Sequence, residues 1–314
     1  MASKPRVLQK GRLLPQLEAA LAEAFDVTLL DDQPDPKAYL AAHGAEFAGL
    51  TSSARYGADR ALIEALPNLK VISSFGVGYE TIDVAYAKER GIPVGYTPDV
   101  LNDCVADTAF GLLMDVARGF SASDRFVRRG DWLKGQFTLA TSIAHKKLGI
   151  LGMGRIGRVI AKRASGFDMD VRYHNRREVA GSGFVYDPTL ESLATWADFL
   201  VVASAGGAET RKLVSAKVIE ALGPKGFLIN ISRGSVVDEA ALLDALQNRR
   251  IAGAGLDVFE NEPSVPEAFF ALDNVVLFPH IASATHETRQ AMADLVFANL
   301  DGFFANGKVK VAVP

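Results

Sequence analysis

The stretch KLGILGMGRIGRVIAKRA, residues 147–164, limits what this chain can fold into more than any other segment. An apolar run ends in Gly152, Gly154 and Gly157, spaced G-x-G-x-x-G, and apolar Ile156, Val159 and Ile160 follow at helical spacing. Strand, glycine turn and helix in that order predict the first βαβ unit of a doubly wound parallel sheet. Gly152 permits the tight turn, Gly154 lets backbone come close to a ligand, and Gly157 lets the helix pack against the strand. The helix start then offers free N–H groups to an anion. The turn from Gly152 through Met153, Gly154, Arg155 and Ile156 to Gly157 therefore reads as a pyrophosphate site for a dinucleotide.

The rest of the chain agrees with that class. Short apolar runs at 6–9, 27–30, 48–53, 70–75, 93–97, 147–152, 171–175, 199–204, 226–232, 253–258 and 274–279 alternate with helical patterns such as DEAALLDALQNRR, 238–250. Such alternation predicts an α/β protein with parallel sheets covered on both faces. Residues 99–120 read as one long helix with Asp103 as N-cap, carrying the chain from a first lobe into a second. The helical pattern at 285–307 returns it.

In many dinucleotide sites an acid at the end of the second strand binds the ribose 2′-OH of NAD. Here VRYHNRREV, 171–179, puts Asn175, Arg176 and Arg177 at that point. A 2′-phosphate carries about −1.5 to −2 charge, by analogy with other phosphate monoesters. An acid would repel it, Asn175 does not, and arginines supply planar donors matched to its oxygens. The expected cofactor is NADP, with NADPH preferred over NADH and Arg176 the stronger of the two phosphate contacts.

A second glycine pair, Gly76 and Gly78 in SSFGVGYET, has Thr81 where the fingerprint needs glycine. It is either a plain turn or a small anion cradle of backbone amides. Further on, Arg233 follows an apolar strand in LINISRGS, Asp257 and Glu262 lie in GLDVFENEP, and His280 follows Pro279 in NVVLFPHIAS. Taken singly, these residues suit a turn cap, a solvated loop acid and a buried histidine.

Together with the glycine turn, the segments LGILGMGRIG, NISRG, LDVFENEP and PHIAS resemble, in order and spacing, the D-isomer-specific 2-hydroxyacid dehydrogenase family. The resemblance covers nearly the whole chain and is densest from Leu101 to Ser283. Within the family the chain is most similar to the NADPH-dependent glyoxylate/hydroxypyruvate reductases. The resemblance implies a Rossmann-type nucleotide lobe, residues 99–284, and a flavodoxin-like substrate lobe, residues 1–98 with 285–314. It implies an active site in the cleft whose closure excludes water. It also implies roles: Arg233 holds the substrate carboxylate and polarises the 2-oxo group, His280 donates the proton, and Glu262 orients His280. Val77 and Gly78 would bind the carboxylate through their amides, and Ser53, in the pocket loop TSSARYGAD, would line the substrate. Ala203, Ser204, Thr210, Ile231, Ser232, Asp257 and Ser283, with Arg233 and His280, would contact the cofactor. At SAGGAET, 204–210, the chain departs from a common family pattern, which carries proline there. A homodimer is implied, with FVRRGDWLKGQF, 126–137, as the contact arm and Trp132 reaching the partner's pocket or filling the dimer contact.

Charge and composition exclude other classes. Thirty-four basic and 37 acidic residues give a net charge of −3, without the basic patch a nucleic-acid partner needs. No apolar run has the length of a membrane span or a signal peptide core. The single cysteine, Cys104, forms no internal disulfide, in keeping with a reducing cytoplasm. His43, His145, His174, His280 and His286 lack metal-ligand spacing, so no metal is expected. ISRGS is not a nucleophile elbow. The expected activity is NADPH-dependent reduction of a small 2-oxo acid, glyoxylate or hydroxypyruvate, to the 2-hydroxy acid. A phenylpyruvate-type reductase, a phosphoglycerate dehydrogenase and a non-catalytic, cofactor-sensing corepressor are the alternatives. The phosphoglycerate enzymes often carry a further regulatory domain for which this length leaves no room.

Overall fold

The computed structural model describes residues 4–314, and the backbone divides into two compact units, Met1–Leu101 with Thr285–Pro314 and Asn102–Ala284. In the first, β1 (Arg6–Gln9), β2 (Asp26–Leu29), β3 (Gly49–Ser53), β4 (Val71–Phe75) and β5 (Val94–Gly95) form a parallel sheet ordered β2-β1-β3-β4-β5. Val7, Leu8, Leu50, Val71 and Ile72 are fully buried, as expected for strands covered on both faces. The helix His286–Asn306 packs on β4, where Ser73 Oγ donates to the Val296 carbonyl at 3.0 Å. Buried Asn299 donates to the Tyr96 carbonyl at 3.3 Å and accepts from the Val311 N–H at 2.9 Å. These paired polar groups hold the last thirty residues to the first unit, although they follow the second in sequence.

The second unit has seven parallel strands: β6 (Lys147–Leu151), β7 (Asp170–His174), β8 (Val185–Tyr186), β9 (Phe199–Val202), β10 (Phe227–Asn230), β11 (Gly253–Leu256) and β12 (Val275–Leu277). Their order is β12-β11-β10-β9-β6-β7-β8. The chain moves from β6 outward to β7 and β8, then crosses back to β9 on the other side of β6. This reversal is the topological switch point, where ligands bind beyond the carboxyl ends of the strands. The glycine turn follows β6 directly.

Helix Asn102–Arg118 buries Val105, Ala106, Ala109, Phe110, Leu112, Leu113 and Ala117 along one face, and packs on β10 and β11. The absence of side chains at Gly253 and Gly255 makes room for it: a Cβ on Gly255 would lie 2.9 Å from Leu112 Cβ. The long helix expected at 99–120 is in fact two. It stops at Arg118, Gly119 turns left-handed at φ 67°, and a second helix runs Phe120–Arg128. Asp115 caps the restart by accepting the Ser121 N–H at 2.8 Å. Asp103 is not the N-cap: it lies inside the first turn, and its carboxylate receives Arg163 at 3.0 Å.

Strands appear where apolar runs predicted them, eight of the eleven between one and three residues shorter than the run. Only the two-residue edge strand β8 has no counterpart among the predicted runs. Among the described residues, no helix is long and apolar enough to cross a membrane.

Gly157 shows how closely the βαβ unit is packed. A Cβ there would lie 2.1 Å from the Gly152 carbonyl oxygen, which belongs to backbone and has little room to yield. Gly157→Ala is expected to destabilise the second unit by about 1–3 kcal/mol, the usual cost of overpacking. It should also weaken dinucleotide binding, because the turn must shift. Thermal melting with and without cofactor measures both effects.

Candidate active site

The three glycines of the turn differ as their spacing predicts. Gly152 has φ 105°, and a Cβ on it would stand 2.7 Å from Ala203 C and Ser204 N. The loop after β9 therefore lies directly against the turn. Gly154, by contrast, has nothing within 4 Å of the place a Cβ would take. It precedes helix Arg155–Ala164, whose first turn has no side-chain cap. An open backbone face and a helix N-terminus suit a pyrophosphate. Ser204 adds an independent sign, since its Oγ is buried with no hydrogen-bond partner. These groups fit a dinucleotide.

Other predicted cofactor contacts have work within the protein. Asn175 Oδ1 accepts the Met153 N–H at 2.6 Å, so the end of β7 braces the glycine turn. Met153 is itself buried in the core. Thr210 Oγ1 donates to the Ala205 carbonyl at 2.9 Å and folds the 205–210 loop on itself. Arg176 and Arg177 are exposed, and Arg176 forms an ion pair with Glu209.

Arg233, Glu262 and His280 stand on the loops after β10, β11 and β12, three neighbouring strands. All three therefore reach the carboxyl edge of the sheet, the same edge as the glycine turn. Behind Arg233, Asn230 Oδ1 accepts from both the backbone N–H and the hydroxyl of Ser232, and its amide donates to the Arg233 carbonyl at 3.0 Å. Ile231 and Ser232 are buried beside it. The next residue must be glycine, because a Cβ on Gly234 would sit 1.9 Å from the Phe259 carbonyl carbon. This close approach brings the Arg233 loop against the loop bearing Glu262. Arg233 Nη1 donates to the Ser232 carbonyl at 2.8 Å.

His280 Nδ1 meets Glu262 Oε2 at 2.7 Å, and the ring keeps 45% of its side-chain surface exposed. Partial burial alone would raise the Glu262 carboxyl. The hydrogen bond and charge of His280, the Phe259 N–H at 3.0 Å and the charge of Arg233 outweigh burial and hold it below its usual range.

Asp257 fixes the backbone that carries His280. Its carbonyl accepts the His280 N–H at 2.9 Å, and its carboxylate accepts the N–H groups of Ile281 at 2.7 Å and Ala282 at 3.0 Å. Burial raises the Asp257 carboxyl, and these two N–H bonds together with His280 oppose the rise. The side chain has no exposed surface. Its observed partners within the protein are thus the N–H groups of the turn at 280–282. The turn carries strain, since His280 adopts φ 54°. Ser283 follows three residues later, partly buried.

In the first unit, Ser53 ends β3 and Gly76 follows β4, with Ser53 in register with Phe75. Gly76 has φ 144°, and its N–H donates to Thr97 Oγ1 at 3.1 Å. Val77 and Gly78, next along this turn, are partly exposed.

Three contributors were not singled out from the sequence. Asn230 and Gly234 lie within NISRG, the same short segment as Arg233. Glu209 had a fainter signal, an acid after Gly206 and Gly207 in the one segment that departs from the family pattern.

Residues 110–282 match the family model for the NAD binding domain of D-isomer specific 2-hydroxyacid dehydrogenases. Over 299 residues the chain is 46% identical to glyoxylate/hydroxypyruvate reductase A of Arabidopsis thaliana, covering 95% of this chain and 96% of that one. It is 45% identical, with the same coverage, to hydroxyphenylpyruvate reductase of Plectranthus scutellarioides. Among solved structures it resembles the NADPH-dependent glyoxylate/hydroxypyruvate reductase of Sinorhizobium meliloti in complex with NADP and malonate. That likeness has a TM-score of 0.93 at 45% identity, covering 99% of this chain and 97% of the other.

Proposed function

The chain belongs to the D-isomer-specific 2-hydroxyacid dehydrogenase family, and from that premise we propose that it reduces glyoxylate or hydroxypyruvate with NADPH, as a cytoplasmic homodimer. The observation that carries this reading is the pairing of His280 Nδ1 with Glu262 at 2.7 Å on the sheet edge that also bears Arg233 and the glycine turn. An anion at Nδ1 keeps a proton there and leaves Nε2 to face substrate. In reduction, Nε2 donates its proton to the carbonyl oxygen as charge develops on it. Arg233 binds the carboxylate with its guanidinium fork and draws electron density from the 2-oxo group. The amides of Val77 and Gly78, with Ser53, are the proposed substrate contacts of the first unit. When bound, the nicotinamide supplies the hydride. Gly152 to Gly157, Ala203, Ser204, Ile231 and Ser283 would hold the dinucleotide, with Arg176 and Arg177 at its 2′-phosphate.

The dimer proposal draws support from residues 120–139. Phe120, Val127, Trp132, Leu133 and Leu139 leave large apolar surface exposed there, Leu133 being 94% and Leu139 99% exposed.

Steady-state kinetics with glyoxylate, hydroxypyruvate, pyruvate, phenylpyruvate and hydroxyphenylpyruvate test the reading with each cofactor. The highest kcat/KM is expected with NADPH and one of the first two acids. A clear NADH preference defeats the cofactor assignment. Tight cofactor binding without turnover on any 2-oxo acid defeats the enzyme reading. The 45% identity to a hydroxyphenylpyruvate reductase favours an aromatic 2-oxo acid as the second reading, and a maximum with that substrate selects it.

A further inference from the structure

The end of β7 lacks an acid, yet the fold delivers one to the same place. Arg176 lies just past β7, and Glu209 lies on the short turn Ala208–Thr210 after β9. β7 and β9 are the two neighbours of β6. The Arg176–Glu209 ion pair therefore bridges the two loops that flank the glycine turn. Both side chains are largely exposed, at 78% and 79%, so the pair is open to exchange with a ligand. The acid has a defined position. Thr210 Oγ1 binds the carbonyls of Ala205 and Gly207 at 2.9 and 3.2 Å, and Gly207 takes φ 136° to make the turn.

We propose that Glu209 is a cofactor-discriminating residue, which supplies from the β9 loop the carboxylate missing at the end of β7 and so limits the preference for NADPH over NADH. The proposal rests on the NADPH reading given above. A 2′-phosphate must draw Arg176 away from Glu209, and the released carboxylate then stands near a second anion. Both effects oppose NADPH. With NADH there is no phosphate to repel, and the carboxylate accepts from the ribose 2′-OH, as an acid at the strand end does. Arg176 favours one cofactor and Glu209 the other. The groups are exposed and screened, so the expected effect is modest, about three- to tenfold.

Equilibrium titration of NADPH and NADH, followed by nicotinamide fluorescence at low ionic strength, tests this on the wild type, Glu209→Gln and Arg176→Gln. Glu209→Gln is expected to raise the ratio Kd(NADH)/Kd(NADPH) about three- to tenfold, with the gain shrinking at high salt. Arg176→Gln is expected to lower the ratio. A ratio in Glu209→Gln that is unchanged or lower overturns the proposal, while a response in Arg176→Gln leaves the NADPH reading standing. If Arg176→Gln does not change the ratio, the proposal fails, while a wild-type ratio above one keeps the NADPH reading standing through Arg177.

Discussion

Replacing His280 by asparagine is expected to lower kcat for 2-oxo acid reduction by about 10²–10⁴-fold, the usual contribution of a positioned general acid. Asparagine tolerates the left-handed backbone at this position, so the turn held by Asp257 should survive. It has no proton to give at working pH. Cofactor affinity, proposed above to rest mainly on the glycine turn, should be preserved, and titration of the reduced cofactor checks this separately from turnover. Unchanged kcat would remove the proton-donor role. The same variant has an electrostatic signature. Glu262 is held below its usual range against the effect of its own partial burial, chiefly by the hydrogen bond and charge of His280. Without them, burial prevails and the Glu262 carboxyl should rise, as carbon-13 NMR titration of the side chain would show. The sign of the linkage follows. A depressed carboxyl adds stability above its unfolded pKa and loses it as pH falls through the folded value. Wild type and variant should therefore differ in stability near neutral pH, and the part of that difference due to Glu262 should vanish in acid.

Arg233→Ala is expected to lower kcat/KM by roughly 10²–10⁴-fold, on the basis of two charge-assisted hydrogen bonds to the carboxylate at about 1.5–3 kcal/mol each, less the solvent access left by truncation. The backbone at this position is held by Asn230 through the Arg233 carbonyl, independently of the guanidinium, so the fold should be little affected. Arg233→Lys should recover only part of the loss, since an ammonium cannot match the planar fork. Initial-rate kinetics at subsaturating 2-oxo acid measure both variants. A kcat/KM equal to wild type would take Arg233 out of substrate recognition.

The sequence carried the frame of this molecule because the frame depends on local patterns. Apolar runs marked eleven of the twelve strands, and β8 escaped because its short apolar patch lies between the turn formers Ser182 and Gly183 and the pair Asp187 and Pro188. Several runs were read too long, as at 226–232 and 274–279, because apolar residues continue past the ends of the strand into the turns at the site. The glycine spacing and the order Arg233, Glu262, His280 were legible, since each lies within six residues of the end of a strand. The partners of single side chains were not. Nothing local shows that Asn175 accepts from Met153 or that Asp257 grips the His280 turn. Those facts depend on which strands become neighbours. Glu209 is the clearest case, 33 residues from Arg176 along the chain and adjacent to it only after the sheet reverses at β6.

The positive φ of His280 also bears on how such an enzyme can lose its activity. The peptide conformation required there is one that glycine adopts at least cost. The reactive ring thus occupies a backbone position where glycine would carry less strain, and its pairing with Glu262 offsets part of that cost. A lineage released from selection for turnover would find here an inactivating change that relaxes the backbone at the loss of one ion pair, and its descendants would keep the cofactor groove as a silent receptor.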